Sequence, residues 1–349
     1  MSLAIRRACL KRDRQEIVDL LVRNVTCPNQ DKLFEWRHLK NPVGEAWVWL
    51  LRDQKQKAVA MASVFPRRIL VNGRLMQCGH VGTVAVEPAY RSLGPAILLQ
   101  RTTFGLVDSG EIVFCYDCPP DEQRTATFVR LGMPPSSEIA RYAFILRSEE
   151  ILQRHMGRGF WSKLLAPSAN VLLKARRRAA AAECGLQIEE FAGRFGDEFS
   201  ELDRKVASAG VIRGSRSADL LNWRYRDCPG WNAPDSKVLL VRRAGELVAF
   251  LAFWIERSRR RAYISDLFGV QFNTAGRALL AAALEICERE KMFSLHGYCS
   301  PGSELRSLFR HLGFRRRERT ATVVAYEKGS GLPTLNHGLN WTLTQMDQM

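Results

Sequence analysis

No run in this sequence approaches the roughly 18 apolar residues of a membrane-spanning helix. The opening Met-Ser-Leu-Ala-Ile-Arg-Arg lacks the apolar stretch of a secretory signal. A helical span is excluded, and a cytoplasmic location is expected. Nine cysteines are present, but only Cys115 and Cys118 form a C-x-x-C. With no second pair there is no zinc-ribbon pattern, and no metal is expected. Pro119 and Pro120 follow at once, where a redox C-x-x-C would open a helix. The odd count and irregular spacing read as reduced thiols. Helix-turn-helix, zinc-finger and aromatic RNA-binding signatures are also missing. Acidic side chains are scarce: 36 against 52 lysines and arginines, a net charge of +16. That excess points to an anionic partner, whether a CoA-type co-substrate, nucleic acid, anionic polysaccharide or a peripheral membrane surface.

What the sequence does have is Val84-Ala-Val-Glu-Pro-Ala-Tyr-Arg-Ser-Leu-Gly-Pro-Ala-Ile-Leu-Leu99. A strand-like run ends in a turn holding Arg91, Ser92, Leu93, Gly94, Pro95 and Ala96, and an apolar helix follows. The first N–H groups of a helix have no partner within it, and with the helix dipole they attract phosphate. Gly94 lets a ligand approach the backbone closely. Pro95 gives up one donor, which a first helical turn tolerates.

The pattern R-x-x-G-x-A after V-x-V-x-P resembles the pyrophosphate-binding motif of the GNAT superfamily, the acyl-CoA N-acyltransferases. The resemblance implies that Arg91 to Ala96 hold the pyrophosphate of acetyl-CoA or another acyl-CoA. It implies that the backbone of Val84, Ala85 and Val86 receives the thioester carbonyl and the pantetheine arm. Transfer to an amine acceptor would be direct, without a covalent enzyme intermediate.

The chain also reads as a duplication. Trp36-Arg37 is followed by Pro42 and Gly44, and Trp223-Arg224 by Pro229 and Gly230. Each pair precedes two apolar strands joined by a polar or glycine turn, Asp53-Gln-Lys-Gln in one case and Arg243-Ala-Gly in the other. Phe128-Val-Arg-Leu-Gly-Met133 is echoed by Phe309-Arg-His-Leu-Gly-Phe314, a helix ending at a glycine C-cap. The expected fold is α/β (α+β): two tandem GNAT-like domains, each a mixed, mostly antiparallel sheet flanked by helices. The expected boundaries are 1–148 for an acyl-CoA-binding domain, 149–186 for a basic helical linker with arginines at 176–178, 187–330 for a second, degenerate domain, and 331–349 for a C-terminal tail read as an arm or a partly disordered segment. The counterpart turn near Gly276 and Arg277 lacks R-x-x-G-x-A, so one co-substrate site is expected, in the first half.

Acyl transfer to an amine needs a polarised carbonyl, a proton acceptor and a proton donor. Asp117, His80 and Glu87 are candidates for the base, beside Asp121. GNAT enzymes frequently carry a tyrosine acid in the helix before the Leu-Gly element, but Phe128 and Phe309 stand there, so Tyr116 is the substitute. Asp266, His296 and Tyr298 are candidates from the second half. The favoured reading is an acyl-CoA-dependent N-acyltransferase, an acetyltransferase in the first instance, acting on a sugar or cell-envelope precursor. The alternatives are an aminoacyl-tRNA-dependent transferase of the tandem-GNAT peptidoglycan-bridge type and a non-enzymatic binder of anionic polymer.

Overall fold

The computed structural model describes residues 3–25, 29–91, 93–147, 186–206, 209–231, 235–328, 335 and 339–348. The linker helices and arginine cluster expected within 149–186 lie almost wholly outside the described residues. The first half runs β1 (Ala4–Arg7), α1 (Arg14–Asn24), α2 (Gln30–Phe34), a π-helical turn (Glu35–Leu39), β2 (Trp47–Arg52), β3 (Ala58–Val71), β4 (Arg74–Val86), α3 (Leu93–Thr103), α4 (Gly105–Asp108), β5 (Phe114–Asp117), α5 (Glu122–Arg130) and β6 (Pro135–Ile145). The second runs β7 (Ile188–Glu190), α6 (Asp197–Lys205), β8 (Val211–Gly214), α7 (Ala218–Tyr225), β9 (Ser236–Arg243), β10 (Glu246–Glu256), β11 (Arg261–Gly269), α8 (Phe272–Arg289), β12 (Ser294–Cys299), α9 (Glu304–His311) and β13 (Arg315–Glu327), with β14 (Asn340–Trp341) near the end.

The strands form one mixed, mostly antiparallel sheet in the order β1-β2-β3-β4-β5-β13-β6-β12-β11-β10-β9-β7. β2, β3, β9 and β10 are apolar on both faces and are buried on both, under helices. Read inward from either edge, each strand meets its counterpart from the other half. The pseudo-twofold axis falls between β13 and β6, which pair antiparallel.

The mixed, mostly antiparallel sheet flanked by helices is as expected, and the sheets of the two halves join into one by exchanging a strand. β6 leaves the first half and pairs with β12, from Ser294↔Ile145 to Cys299↔Ala140. β13 crosses the other way and pairs with β5, from Val324↔Asp117 to Glu327↔Phe114. Each half would otherwise end at β5 or β12 with an open edge, and the exchanged strand closes it.

One pair of repeated landmarks, the two tryptophans, also joins the halves. The indole N–H of Trp36 donates to the Trp223 carbonyl at 2.7 Å, and that of Trp223 donates to the Trp36 carbonyl at 2.9 Å. Their rings stack with centroids 4.5 Å apart. The Leu-Gly echoes are the same helix stop. Gly132 and Gly313 have φ of +94° and +89°, and the next residue's N–H returns to Phe128 or Phe309.

The segment read as an arm is not one where it is described. Trp341 and Leu343 are buried in a core that joins β3, β4 and β5 to β8 and β13. β14 pairs with β8, which pairs with the end of β3. The tail lacks periodicity because it is held by single anchors rather than by a helical face.

Candidate functional site

The site begins where two parallel strands separate. β4 and β5 pair only at Gly79↔Cys115 and His80↔Tyr116. β4 then continues to Val86 while β5 stops at Asp117, leaving a wedge. On its other side, β4 carries a bulge: Val81 pairs Val64 and Val84 pairs Ala62, so Gly82 and Thr83 face Ser63 alone. A bulge leaves a backbone group outside the ladder. A Cβ on Gly82 would collide with the Phe65 ring, which explains a glycine there. β11 repeats the bulge at Ser265.

Beyond the bulge, the Val84 and Val86 side chains pack against the core under α3, and Ala85 is buried on the opposite face. These three residues therefore have only backbone to offer a ligand. A single 3-10 turn (Pro88–Tyr90) leads to α3. Arg91 is exposed and donates from Nε to the Val86 carbonyl and from a terminal nitrogen to Asn24 Oδ1, both at 3.1 Å. Ser92 lies outside the described residues. α3 starts at Leu93, so Gly94, Pro95 and Ala96 form its first turn, with Gly94 open to solvent. An anion at this helix end would meet free N–H groups and the Arg91 guanidinium.

His80 and Asp117 face one another across the wedge. His80 is 5% exposed, and neither ring nitrogen has a hydrogen-bond partner among the described residues. Its Nε2 stands 3.7 Å from Asp117 Oδ1, too far for a hydrogen bond. Burial, with the charges of Arg67 and Arg37, holds the imidazole well below its ordinary pKa, so it is neutral. Burial pushes the Asp117 carboxyl up to about 7, against the opposing effect of the Cys118 N–H that donates to it at 2.7 Å. A carboxyl that titrates near neutrality suits proton transfer from an amine.

Two expected proton carriers are committed elsewhere. Tyr116 is fully buried and its hydroxyl donates to the Asp347 carbonyl at 2.9 Å. Burial pushes its pKa well above 10. Glu87 is bound to Arg23 at 2.7 Å, away from the wedge. Burial likewise raises the Cys115 and Cys118 thiols, so neither is a ready nucleophile. Asp121 caps α5 by accepting from the Arg124 N–H.

The second half departs from this plan. Gly276 and Arg277 are within α8, not in the turn before it. A Cβ on Gly276 would stand 2.8 Å from Leu308, so this glycine serves helix packing. Asp266, just past the bulge, accepts from Arg216 at 2.7 Å, and Arg216 also holds Asp347 of the tail at 2.7 Å. A cavity of about 690 Å³ opens above that network, between the N-termini of α8 and α9 and beside Arg213 and Thr342. Of this cavity and the Arg216 network, the sequence reading singled out Asp266 but not Arg216 or Asp347. His296 is held by Ser294 and Arg141, and Tyr298 is half-buried beside it. Among the described residues, no cluster of His, Cys, Asp or Glu is arranged to hold a metal, and no helix is long and apolar enough to cross a membrane.

Residues 5–119 match the family model described as "Acetyltransferase (GNAT) domain". No curated protein sequence matches the chain. Among solved structures, it resembles a conserved Enterococcus faecalis protein of unknown function, a probable N-acyltransferase, with TM-score 0.66 and 14% identity over 94% of this chain and 72% of that one. It resembles a GCN5-related N-acetyltransferase from Anabaena variabilis, with TM-score 0.64 and 14% identity over 93% and 72%. It also resembles Saccharomyces cerevisiae N-myristoyltransferase with bound myristoyl-CoA, with TM-score 0.59 and 13% identity over 93% and 82%. At these identities the likeness is one of fold.

Proposed function

Starting from a GNAT acetyltransferase domain at residues 5–119, we propose that this chain is an acyl-CoA-dependent N-acyltransferase whose co-substrate binds the first half. The observation that carries the reading is the wedge beside the β4 bulge, ending at the exposed first turn of α3. The pyrophosphate would lie on Arg91 and the N–H groups of Gly94 and Ala96. The pantetheine arm would run along the backbone of Val84 to Val86, and the thioester carbonyl would accept from a free N–H at the bulge. Asp117 is positioned to take the proton from the attacking amine. His80 is neutral and buried beside it, and it limits water at that carboxyl. The C–N bond forms as the C–S bond breaks, and the thiolate is protonated from solvent or from the acid form of Asp117.

Acetyl and longer acyl groups are both compatible with this arrangement. The acceptor is a small amine, with a sugar or cell-envelope precursor as the leading class. Native mass spectrometry with acetyl-CoA and longer acyl-CoAs, followed by an acceptor screen for free thiol, tests the reading. An Arg91→Ala, Gly94→Trp double variant should lose CoA binding; undiminished binding would sink the site assignment. The second-half cavity motivates one rival reading, in which CoA binds there as well. Calorimetric titration is expected to give one CoA per chain, and two equivalent sites would favour the rival.

A further inference from the structure

Three arginines gather where the two halves meet. Arg37 and Arg224 are the second members of the repeated Trp-Arg pairs. Arg67 lies on β3 opposite Cys78, on the same sheet face as His80 and Tyr116. Its guanidinium is 5.1 Å from the centre of the Trp223 ring, and that of Arg37 is 5.9 Å from the Trp36 ring. Burial lowers the Arg67 pKa; Tyr116, Cys78 and the more distant Asp347 raise it, while the charge of Arg224 lowers it, so the two cations feel each other.

Arg67 and Arg224 are under-partnered. Arg224 is 6% exposed and makes no hydrogen bond or ion pair with any described residue; its Nε is buried and unsatisfied. Arg67 is 7% exposed and has one long bond, to the Pro66 carbonyl at 3.4 Å, with its other terminal nitrogen buried and unsatisfied. Elsewhere this protein pairs its buried arginines fully. Arg213 binds Asp203 at 2.5 Å, and Arg216 binds both Asp266 and Asp347. A guanidinium does not deprotonate in proteins. The cation–π contact with Trp223 offsets only part of the cost of an uncompensated buried charge. Two such charges side by side call for an anion.

We propose that Arg67 and Arg224 form an oxyanion receptor for a carboxylate or phosphate group carried by the acceptor amine. This rests on the acyl-transfer reading for the word acceptor; the anion site itself does not. A guanidinium presents a planar fork that matches two oxygens of such a group. His80 feels the charge of Arg67, and Asp117 lies 3.7 Å beyond its Nε2, so an amine several bonds from the anion would reach the wedge. The substrate class is then an amine that bears a carboxylate or phosphate, which narrows the sugar or cell-envelope class to its anionic members and excludes a simple alkylamine or polyamine.

The test has two arms. In the first, acetate and inorganic phosphate are titrated against the full chain at constant ionic strength, without CoA, and melting is followed. Saturable stabilisation is expected in the wild type, with an affinity weakened more than tenfold in Arg224→Gln. Arg224 makes no hydrogen bond with any described residue, so Arg224→Gln should fold and, without anion, melt higher than the wild type. No saturable effect in the wild type, or wild-type affinity in Arg224→Gln and Arg67→Gln, would overturn the site. In the second arm, methylamine is compared with glycine, and ethanolamine with phosphoethanolamine, by thiol release. The anionic member of a pair should be preferred at least tenfold, and Arg224→Gln should erase the preference while CoA binding is kept. Equal rates within both pairs would overturn the acceptor assignment. Anion binding without turnover of any amine would support the receptor and count against the acyl-transfer reading alone.

Discussion

Asp117 and His80 lie 3.7 Å apart without a hydrogen bond, and the carboxyl, raised to about 7, is the group that titrates in the working range. On the proposed reading it acts as a base when ionised, so kcat/KM should rise with pH and flatten above about 7. Asp117→Asn should abolish that limb and lower kcat/KM by about 10²–10⁴-fold, the usual size of general-base catalysis. For stability the sign is the reverse of an ion-paired carboxylate. Folding favours the protonated form, so stability is greatest below the ordinary value of 3.8 and is lost as pH rises to about 7. Melting curves of Asp117→Asn should be flatter over that interval; an unchanged slope would show that another group titrates. At the pseudo-axis, Trp36→Phe and Trp223→Phe each remove one of the reciprocal indole bonds. Each should cost about 1–2 kcal/mol, and a double-mutant cycle in urea should show coupling through the shared stack. Strict additivity would mean that the two contacts act separately. Asp117 was legible in the sequence because it ends a strand-like run. The oxyanion receptor was not, because a buried arginine and a solvated one read alike along a chain.

The two helix-stop-strand elements, α5 to β6 and α9 to β13, are alike down to single hydrogen bonds. Gly132 and Gly313 both need positive φ, +94° and +89°. Replacing either by alanine should cost about 1–2 kcal/mol, the penalty of a left-handed conformation for an L-residue. The two variants should be destabilised equally in denaturant melts; a large asymmetry would show that only one stop bears on the fold. These stops, the hairpin turns and the Trp-Arg pairs were legible because each is a local signal within a few residues. The strand exchange was not. β6 and β13 have similar length and both pair antiparallel, so periodicity cannot say which edge each one seeks. The start of α8 was not legible, because Gly276 lies inside the helix and makes room for Leu308 rather than marking a turn. The tail escaped because Trp341, Leu343 and Asp347 act as separate anchors with no repeat between them.

For the whole molecule, the exchange makes the halves mutually dependent. Residues 1–148 expressed alone would leave β5 and β6 without the strand that lies between them. Each half alone should aggregate or pair with its own copy, whereas co-expressed halves should copurify as a one-to-one complex by size exclusion. A well-dispersed, monomeric first half would contradict the interleaving. Ending the chain after Lys328 would remove Asp347 and leave Arg216 with Asp266 alone. Loss of one partner of a buried ion group costs about 3–5 kcal/mol, so a fall in melting temperature should be the readout. The exchange also sets a clock. β5 ends at Asp117 and its partner β13 begins at Arg315, roughly 200 residues later, which at about 5–20 residues per second is a delay of roughly 10–40 s. Throughout that interval the emerging first half carries an unpaired strand edge at the wedge. The rate of translation through the second half therefore decides how long the nascent protein is exposed to mispairing, and chaperone demand should track that rate.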